Sequence, residues 1–153
     1  NVFRQAVYTQ IARTTVSANE RNYLLSAISE EHGELDWKKI LANASYKAMP
    51  KQGIDTVLHM MKSRFKAEYA DGVERTLKVS IEGEPPRFMR VRNNVLTFSN
   101  TATGRPHGSL IMSRDTLDRL AANLLTWPDA LKQGEIKVKH GKNAVQQILE
   151  LIE

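Results

Sequence analysis

Ser109-Leu-Ile-Met-Ser113, the run Arg114-Asp-Thr-Leu-Asp-Arg-Leu-Ala-Ala-Asn-Leu-Leu-Thr-Trp-Pro128, Ile136-Lys-Val138 and Gly141-Lys-Asn-Ala-Val145 decide how this chain folds. Leu110 to Met112 is a short apolar run of strand length. Ser113 is a good helix N-cap, and Asp115 sits in the first turn, where the helix dipole favours an acid. Leu117, Leu120, Ala121 and Leu124 then recur at i, i+3, i+4 and i+7 and predict one apolar stripe. Trp127-Pro128 interrupts it, because proline disfavours helix at the residue before it. Pro128 suits the first position of a new short helix, and Gly134 suits its C-terminal cap. Ile136 and Val138 alternate with Lys137 and Lys139 as in a half-buried strand. Gly141 turns the chain, and Val145, Ile148, Leu149 and Ile152 give a last helix one apolar face.

Working back, Thr76 to Glu82 alternates Leu77, Val79 and Ile81 with polar residues and reads as a strand. Gly83-Glu-Pro-Pro86 is a turn. Phe88 to Arg92 and Val95 to Phe98 are predicted to pair across Asn93-Asn94, since asparagine tolerates positive φ. Asn100 to Gly108 is a polar loop. Before the strands, Pro50 is predicted to open a helix with Ile54, Val57, Leu58, Met61 and Phe65 on one side, closed by Asp71-Gly72. Ser45 to Met49 reads as a linker. Residues 1 to 16 and 18 to 31 read as helices, the second begun by the capping-box spacing Ser17-Ala-Asn-Glu20. Trp37, Ile40, Leu41 and Ala44 permit a short helix. The pattern predicts an α+β fold: about five strands in a mostly antiparallel sheet, helices on one face, and helices preceding it. The expected division is 1–48, a helical extension, and 49–153, the sheet domain.

The ordered series Ser109-Leu-Ile-Met-Ser-Arg-Asp-Thr-Leu117, Lys132-Gln-Gly-Glu-Ile-Lys-Val138 and Gly141-Lys-Asn-Ala-Val145 resembles the sterol-carrier-protein-2-like domain. Within that family it resembles the version that closes bacterial alkyl sulfatases of the metallo-β-lactamase superfamily. The likeness reaches back through Met49-Pro50 and, more weakly, to Arg21-Asn22-Tyr23-Leu24, roughly two thirds of the chain by template matching. No single motif in it is diagnostic. The resemblance implies a terminal accessory domain that holds the alkyl tail of a long-chain sulfate ester. It also implies that residues 1–48 are the tail of a helical dimerisation domain.

The 153 residues allow a real core, and 41% hydrophobic with 25% charged residues is ordinary for a globular chain. No apolar run approaches the ~20 residues that span a bilayer. Asn1 rather than Met opens the chain, which fits a fragment or a processed product, so the lack of a leader says little about a parent protein. The compartment is open; a parent alkyl sulfatase would be periplasmic or secreted, the cytoplasm remaining possible. There is no cysteine, which removes disulfides, thiolate zinc sites and cysteine nucleophiles. The net charge of +5 and pI of 9.6 favour anionic partners. Arg87, Arg90 and Arg92 cluster, as do Lys137, Lys139, His140 and Lys142. With 7% aromatics and no nucleic-acid-binding signature, nucleic acid is a poor candidate, and solvated strand faces explain these runs better.

His32, His59, His107 and His140 form no helical zinc pair. Neither a nucleophile elbow nor a phosphate-cradling glycine loop is present. The alkyl sulfatase catalytic module carries a His-x-His-x-Asp-His zinc motif, and this sequence has none. Zinc is therefore expected only in a catalytic module outside this sequence, and no cofactor or catalytic residue is assigned here. Burying each methylene contributes about 0.8 kcal/mol, so an alkyl tail is a sufficient ligand. The candidate cavity residues are Leu58, Met61, Phe65, Phe88, Phe98, Met112, Leu120, Leu124 and Trp127, with Met60 and Met89 as further methionines. Arg87 and Arg90, with Lys139, are candidates for a sulfate or carboxylate head group. Plain core packing competes with a cavity role at each apolar position. Three functions stay open: a module binding an alkyl sulfate, fatty acid or other lipid; a structural module with a filled core that packs against a catalytic partner or mediates homodimerisation; and a free-standing hydrolase.

Overall fold

Two asparagines at positive φ, Asn93 at 49° and Asn94 at 58°, make the tight turn between β2 (Arg87–Arg92) and β3 (Val95–Ser99). In the computed structural model, which describes residues 2–152, this hairpin is one edge of a five-stranded sheet. With β1 (Arg75–Ile81), β4 (Gly108–Met112) and β5 (Ile136–His140), the spatial order is β3-β2-β1-β4-β5. The pairs β1·β2, β2·β3 and β4·β5 are antiparallel. The central pair β1·β4 is parallel, with Val79 opposite Leu110. The sheet is thus mostly antiparallel, but mixed at its centre.

The period-2 pattern decides which face is covered. Leu77, Met89 and Phe98 share one row, Val91 and Leu96 another, and Val79 and Leu110 a third. Apart from partly buried Phe98, these residues are at most 3% exposed. Four helices bring their apolar residues to this face: α4 (Ile54–Met61), α5 (Arg114–Ala121), α6 (Trp127–Lys132) and α7 (Lys142–Glu150). Val57, Leu58 and Met61 of α4, Leu117 and Leu120 of α5, and Val145, Ile148 and Leu149 of α7 complete one cluster.

Local chemistry ends the helices where it starts them. Ser113 Oγ accepts from Thr116 N at 3.0 Å and caps α5. Asn123, at φ 59°, stops α5 with the paired bonds Leu124 N to Arg119 O (2.9 Å) and Asn123 N to Leu120 O (3.2 Å). Thr126 Oγ1 caps α6 by accepting from Asp129 N, and Gly134, at φ 75°, closes it in the same manner as Asn123 closes α5.

Some sequence expectations are corrected. The helix expected from Pro50 starts after Gly53 and stops at Met61, because Met49–Lys51 and Lys62–Arg64 are tight 3-10 turns. Phe65 is therefore extended and lies beyond the helix. Ser45 to Ala48, expected as linker, belong to α3 (Trp37–Ala48). Leu124 is past the end of α5, so the i+7 position of the stripe does not exist.

The chain separates into two compact units, 1–41 and 42–153. In the first, α1 (Val2–Thr14) and α2 (Ala18–Glu31) pack as a helical hairpin. Ser17 caps α2 by accepting from Glu20 N. The Glu20 carboxylate takes the Thr15 hydroxyl at 2.6 Å, where the capping box predicts a bond to the Ser17 backbone. Arg21 ties back to the carbonyls of Ala12 (3.2 Å) and Thr15 (3.0 Å). Of the stripe Tyr23, Leu24, Ala27 and Ile28, only Leu24 is buried.

In the second unit, Arg114 fastens the start of the domain to α5. Its guanidinium meets Asp118 at 2.8 Å and the carbonyls of Met49 and Gln52 at 2.8 Å each. The Asp118 side chain is 3% exposed. Arg114→Met is expected to cost about 2–3 kcal/mol, since a buried carboxylate loses its charged partner. Urea unfolding of the purified variant checks this, and a loss below about 0.5 kcal/mol contradicts the role.

A candidate apolar pocket at Trp127

Leu125 and Trp127 are neighbours on opposite sides of Thr126, and both turn inward, at 7% and 4% exposure. Asn123 is the cause: its left-handed backbone redirects the chain so that Leu125, not Leu124, follows Leu120 into the interior. The gap left between the end of α5, the start of α6 and the residues after α7 is a cavity of about 230 Å³. Leu120, Leu125, Trp127 and Ile152 give it apolar walls, and Asn123, Thr126 and Arg64 its polar rim. A second hollow of about 160 Å³ lies across Trp127, between Leu131 of α6 and Leu149 of α7. The indole is thus a shared wall. Typical small-molecule pockets run from about 300 to 1,000 Å³, so the larger hollow alone is short of that range.

Arg64 is the cation at the rim. Its Nη2 donates to Leu120 O at 2.9 Å and Ala121 O at 3.5 Å, and its Nη1 to the Asn123 side chain. These are the last carbonyls of α5, where a cation is favoured. Among the described residues no carboxylate forms an ion pair with Arg64, and burial pulls its pKa down. Lys66 N donates to Leu151 O at 2.8 Å, which holds the Arg64 segment against the residues after α7.

Leu120 and Trp127 are the two expected cavity residues that line this pocket. Leu58, Met61 and Met112 are at most 2% exposed, as is Met89, and they fill the interior between α4, α5 and the sheet. Phe65 and Phe98 are partly buried against that core. Leu124 is half-buried on the loop after α5. Phe88 is on the other face of the sheet from Met89, opposite Lys78 and Ser99. Met60 is exposed.

The head-group candidates have other engagements. Arg87 is 9% exposed, and its Nε and Nη2 meet Asp55 at 2.6 and 3.2 Å while Nη1 donates to Pro85 O. The Arg87 hydrogen bond holds the Asp55 carboxyl below its usual range. A depressed carboxylate adds stability that is present above its unfolded pKa and lost as pH falls through the folded value. Asp55→Asn is therefore expected to flatten the acid limb of the stability profile, read as urea midpoints against pH. An unchanged limb contradicts the pairing. Arg90 donates to Thr103 at 3.3 Å and Lys139 is exposed; neither reaches the Trp127 pocket.

Arg64 escaped the sequence reading, and Leu125 entered it only as the end of the apolar run Leu117 to Leu125, not as a named cavity residue. The signal for both is Asn123, a residue that accepts positive φ and so ends a helix. Among the described residues no three His, Asp or Glu side chains are grouped to hold a metal ion, and no helix is long and apolar enough to cross a membrane.

No family model matches the sequence, and no curated protein matches it. Solved structures do. The stereoselective inverting sec-alkylsulfatase Pisa1 from Pseudomonas sp. matches over 97% of this chain and 24% of its own, with 23% identity and a TM-score of 0.58. The chain therefore spans about a quarter of that enzyme. Palmitated SCP2L2 from Aedes aegypti matches over 67% of this chain and 96% of its own, with 20% identity and a TM-score of 0.53. The α+β fold of this chain is the sterol-carrier-protein-2-like fold, in the form that also occurs as part of an alkyl sulfatase.

Proposed function

We propose that this chain is the alkyl-chain-holding accessory part of an alkyl sulfatase, taking the tail of an alkyl sulfate, fatty acid or related lipid at Trp127. The observation that carries the reading is the apolar hollow whose single charged rim residue, Arg64, has no acidic partner among the described residues. An anionic amphiphile matches both halves: methylenes replace water against Leu120, Leu125, Trp127 and Ile152, and the head group meets the guanidinium. The match to a quarter of Pisa1 supports the accessory role, and the match to a palmitated carrier supports the ligand class. Sulfate-ester hydrolysis and the zinc it needs are assigned to a separate catalytic module.

The second reading is a structural or dimerisation module. The filled core around Met61, Met89 and Met112 favours it. One experiment separates the two. Laurate and dodecyl sulfate, each below its micellar concentration, are expected to raise the melting temperature, and dodecanol to raise it less. Arg64→Gln is expected to abolish the preference for the anions while keeping the response to dodecanol. No shift with any of the three supports the structural module and ends the binding reading.

A further inference from the structure

The sheet has a second face that none of the helices α4–α7 covers. Lys78, Ser80 and Phe88 lie on it, with Arg90, Thr97, Ser99, Ser109, Ile111 and Lys137, by register. No strand contains an acidic residue. From Pro85 to Arg114 the sequence has no Asp or Glu at all; Arg87 and Arg114 at its ends pair with Asp55 and Asp118, which leaves Arg90, Arg92 and Arg105 between them. The loop from β3 to β4, which meets Arg90 through Thr103, is part of this acid-free stretch. At the β5 edge, Lys137, Lys139 and His140 are exposed. Acids flank the sheet: Glu74 pairs with Arg92 at 3.5 Å, Glu135 pairs with Arg119 at 2.8 Å, and Glu82, Asp115 and Glu135 border a hollow with Ile111 and Lys137 at the β4–β5 end. Lys78, Lys137 and Lys139 form no ion pair among the described residues.

We infer that this face docks on an anionic lipid surface. Charge complementarity selects a negative partner, since several cations share one face without one strand-borne acid to oppose them. The form of the face selects lipid over a polynucleotide. Half-buried Phe88 and Ile111 sit among the cations, as suits a headgroup layer with an acyl boundary beneath it. A single-stranded nucleic acid needs several aromatic platforms, and Phe88 is the one Phe, Tyr or Trp in the outward-facing positions of the strands. A duplex groove needs an inserted helix or ribbon, and this surface is a broad sheet. The β5 side also packs against α6, which carries Trp127, so the cationic face and the pocket adjoin one edge of the sheet.

The test is flotation of the full chain with vesicles of phosphatidylcholine alone and of equimolar phosphatidylcholine and phosphatidylglycerol. Binding only to the anionic vesicles, weakening with salt, is expected. Each lysine near such a surface contributes about fivefold in partitioning, so K78Q/K137Q/K139Q is expected to lose roughly a hundredfold. The matched control K47Q/K51Q/K132Q, on α3, the following 3-10 turn and α6, is expected to lose less than about fivefold. Equal losses in the two triples overturn the assignment to this face. So does equal binding to neutral vesicles, or tighter binding to duplex DNA through the same three lysines. Occupancy of the Trp127 pocket is read separately by the melting shift with laurate, so either proposal can fail while the other stands.

Discussion

Gly141→Ala is expected to destabilise the protein by roughly 4 kcal/mol or more, enough to lower soluble yield sharply. Gly141 lies between β5 and α7 at φ 69°, where a side chain already costs about 1 kcal/mol. The larger effect is steric. A Cβ there falls 2.0 Å from the His107 carbonyl oxygen and 2.6 Å from Gly108 Cα. Both are backbone, so no rotamer change relieves the contact. The start of α7 must back away from the start of β4, and Val145, Ile148 and Leu149 lose their seat on the sheet. Gly72→Ala is the internal control: its φ is 68°, and its Cβ meets nothing within 4 Å. It is expected to lose only about 1 kcal/mol. Equal urea midpoints for the two variants would show that the close approach does not exist. Gly108→Ala is expected to fall between them, because two of its three contacts, at 2.9 and 3.0 Å, are the side-chain ends of Leu77 and Val145.

Trp127→Ala is expected to cost about 3–5 kcal/mol, the usual result of deleting a buried aromatic side chain. Its further consequence concerns the ligand. The indole separates the hollows of about 230 and 160 Å³, so its removal merges them into one apolar cavity of ordinary ligand size. Empty apolar cavities are dry and take up hydrocarbon. Laurate is therefore expected to raise the melting temperature of Trp127→Ala by more than it raises that of the parent chain. A variant that is destabilised yet unresponsive to laurate would show that these hollows do not open to an alkyl chain.

Much of the fold was legible because its signals are local. Ser113, Gly134, Asn93-Asn94 and Gly141 each impose a backbone geometry on their neighbours, and each reading holds. The parallel pairing of β1 with β4 was not legible. A hairpin is inserted between these strands in sequence, and nothing local marks which strand β4 joins. The inward face of β2 was ambiguous for a different reason. Its alternatives are Phe88, Arg90, Arg92 and Arg87, Met89, Val91, and each contains a cation. Cross-strand contacts decide it: Met89 fits between Leu77 and Phe98, which takes Arg87 inward, where Asp55 of α4 balances it. The pocket was half legible. Leu120 and Trp127 were expected on apolar pattern, but the cation was sought on the strands, whereas Arg64 comes from the turn after α4.

Under the proposed function, Arg64 also sets how firmly an anion would be held. Its guanidinium already answers the partial negative charge, about half a unit, that α5 presents through Leu120 O and Ala121 O. An arriving carboxylate or sulfate would meet only the remainder. Under the proposed function, such a rim would release its ligand as readily as it accepts it, which would suit a handover step better than storage.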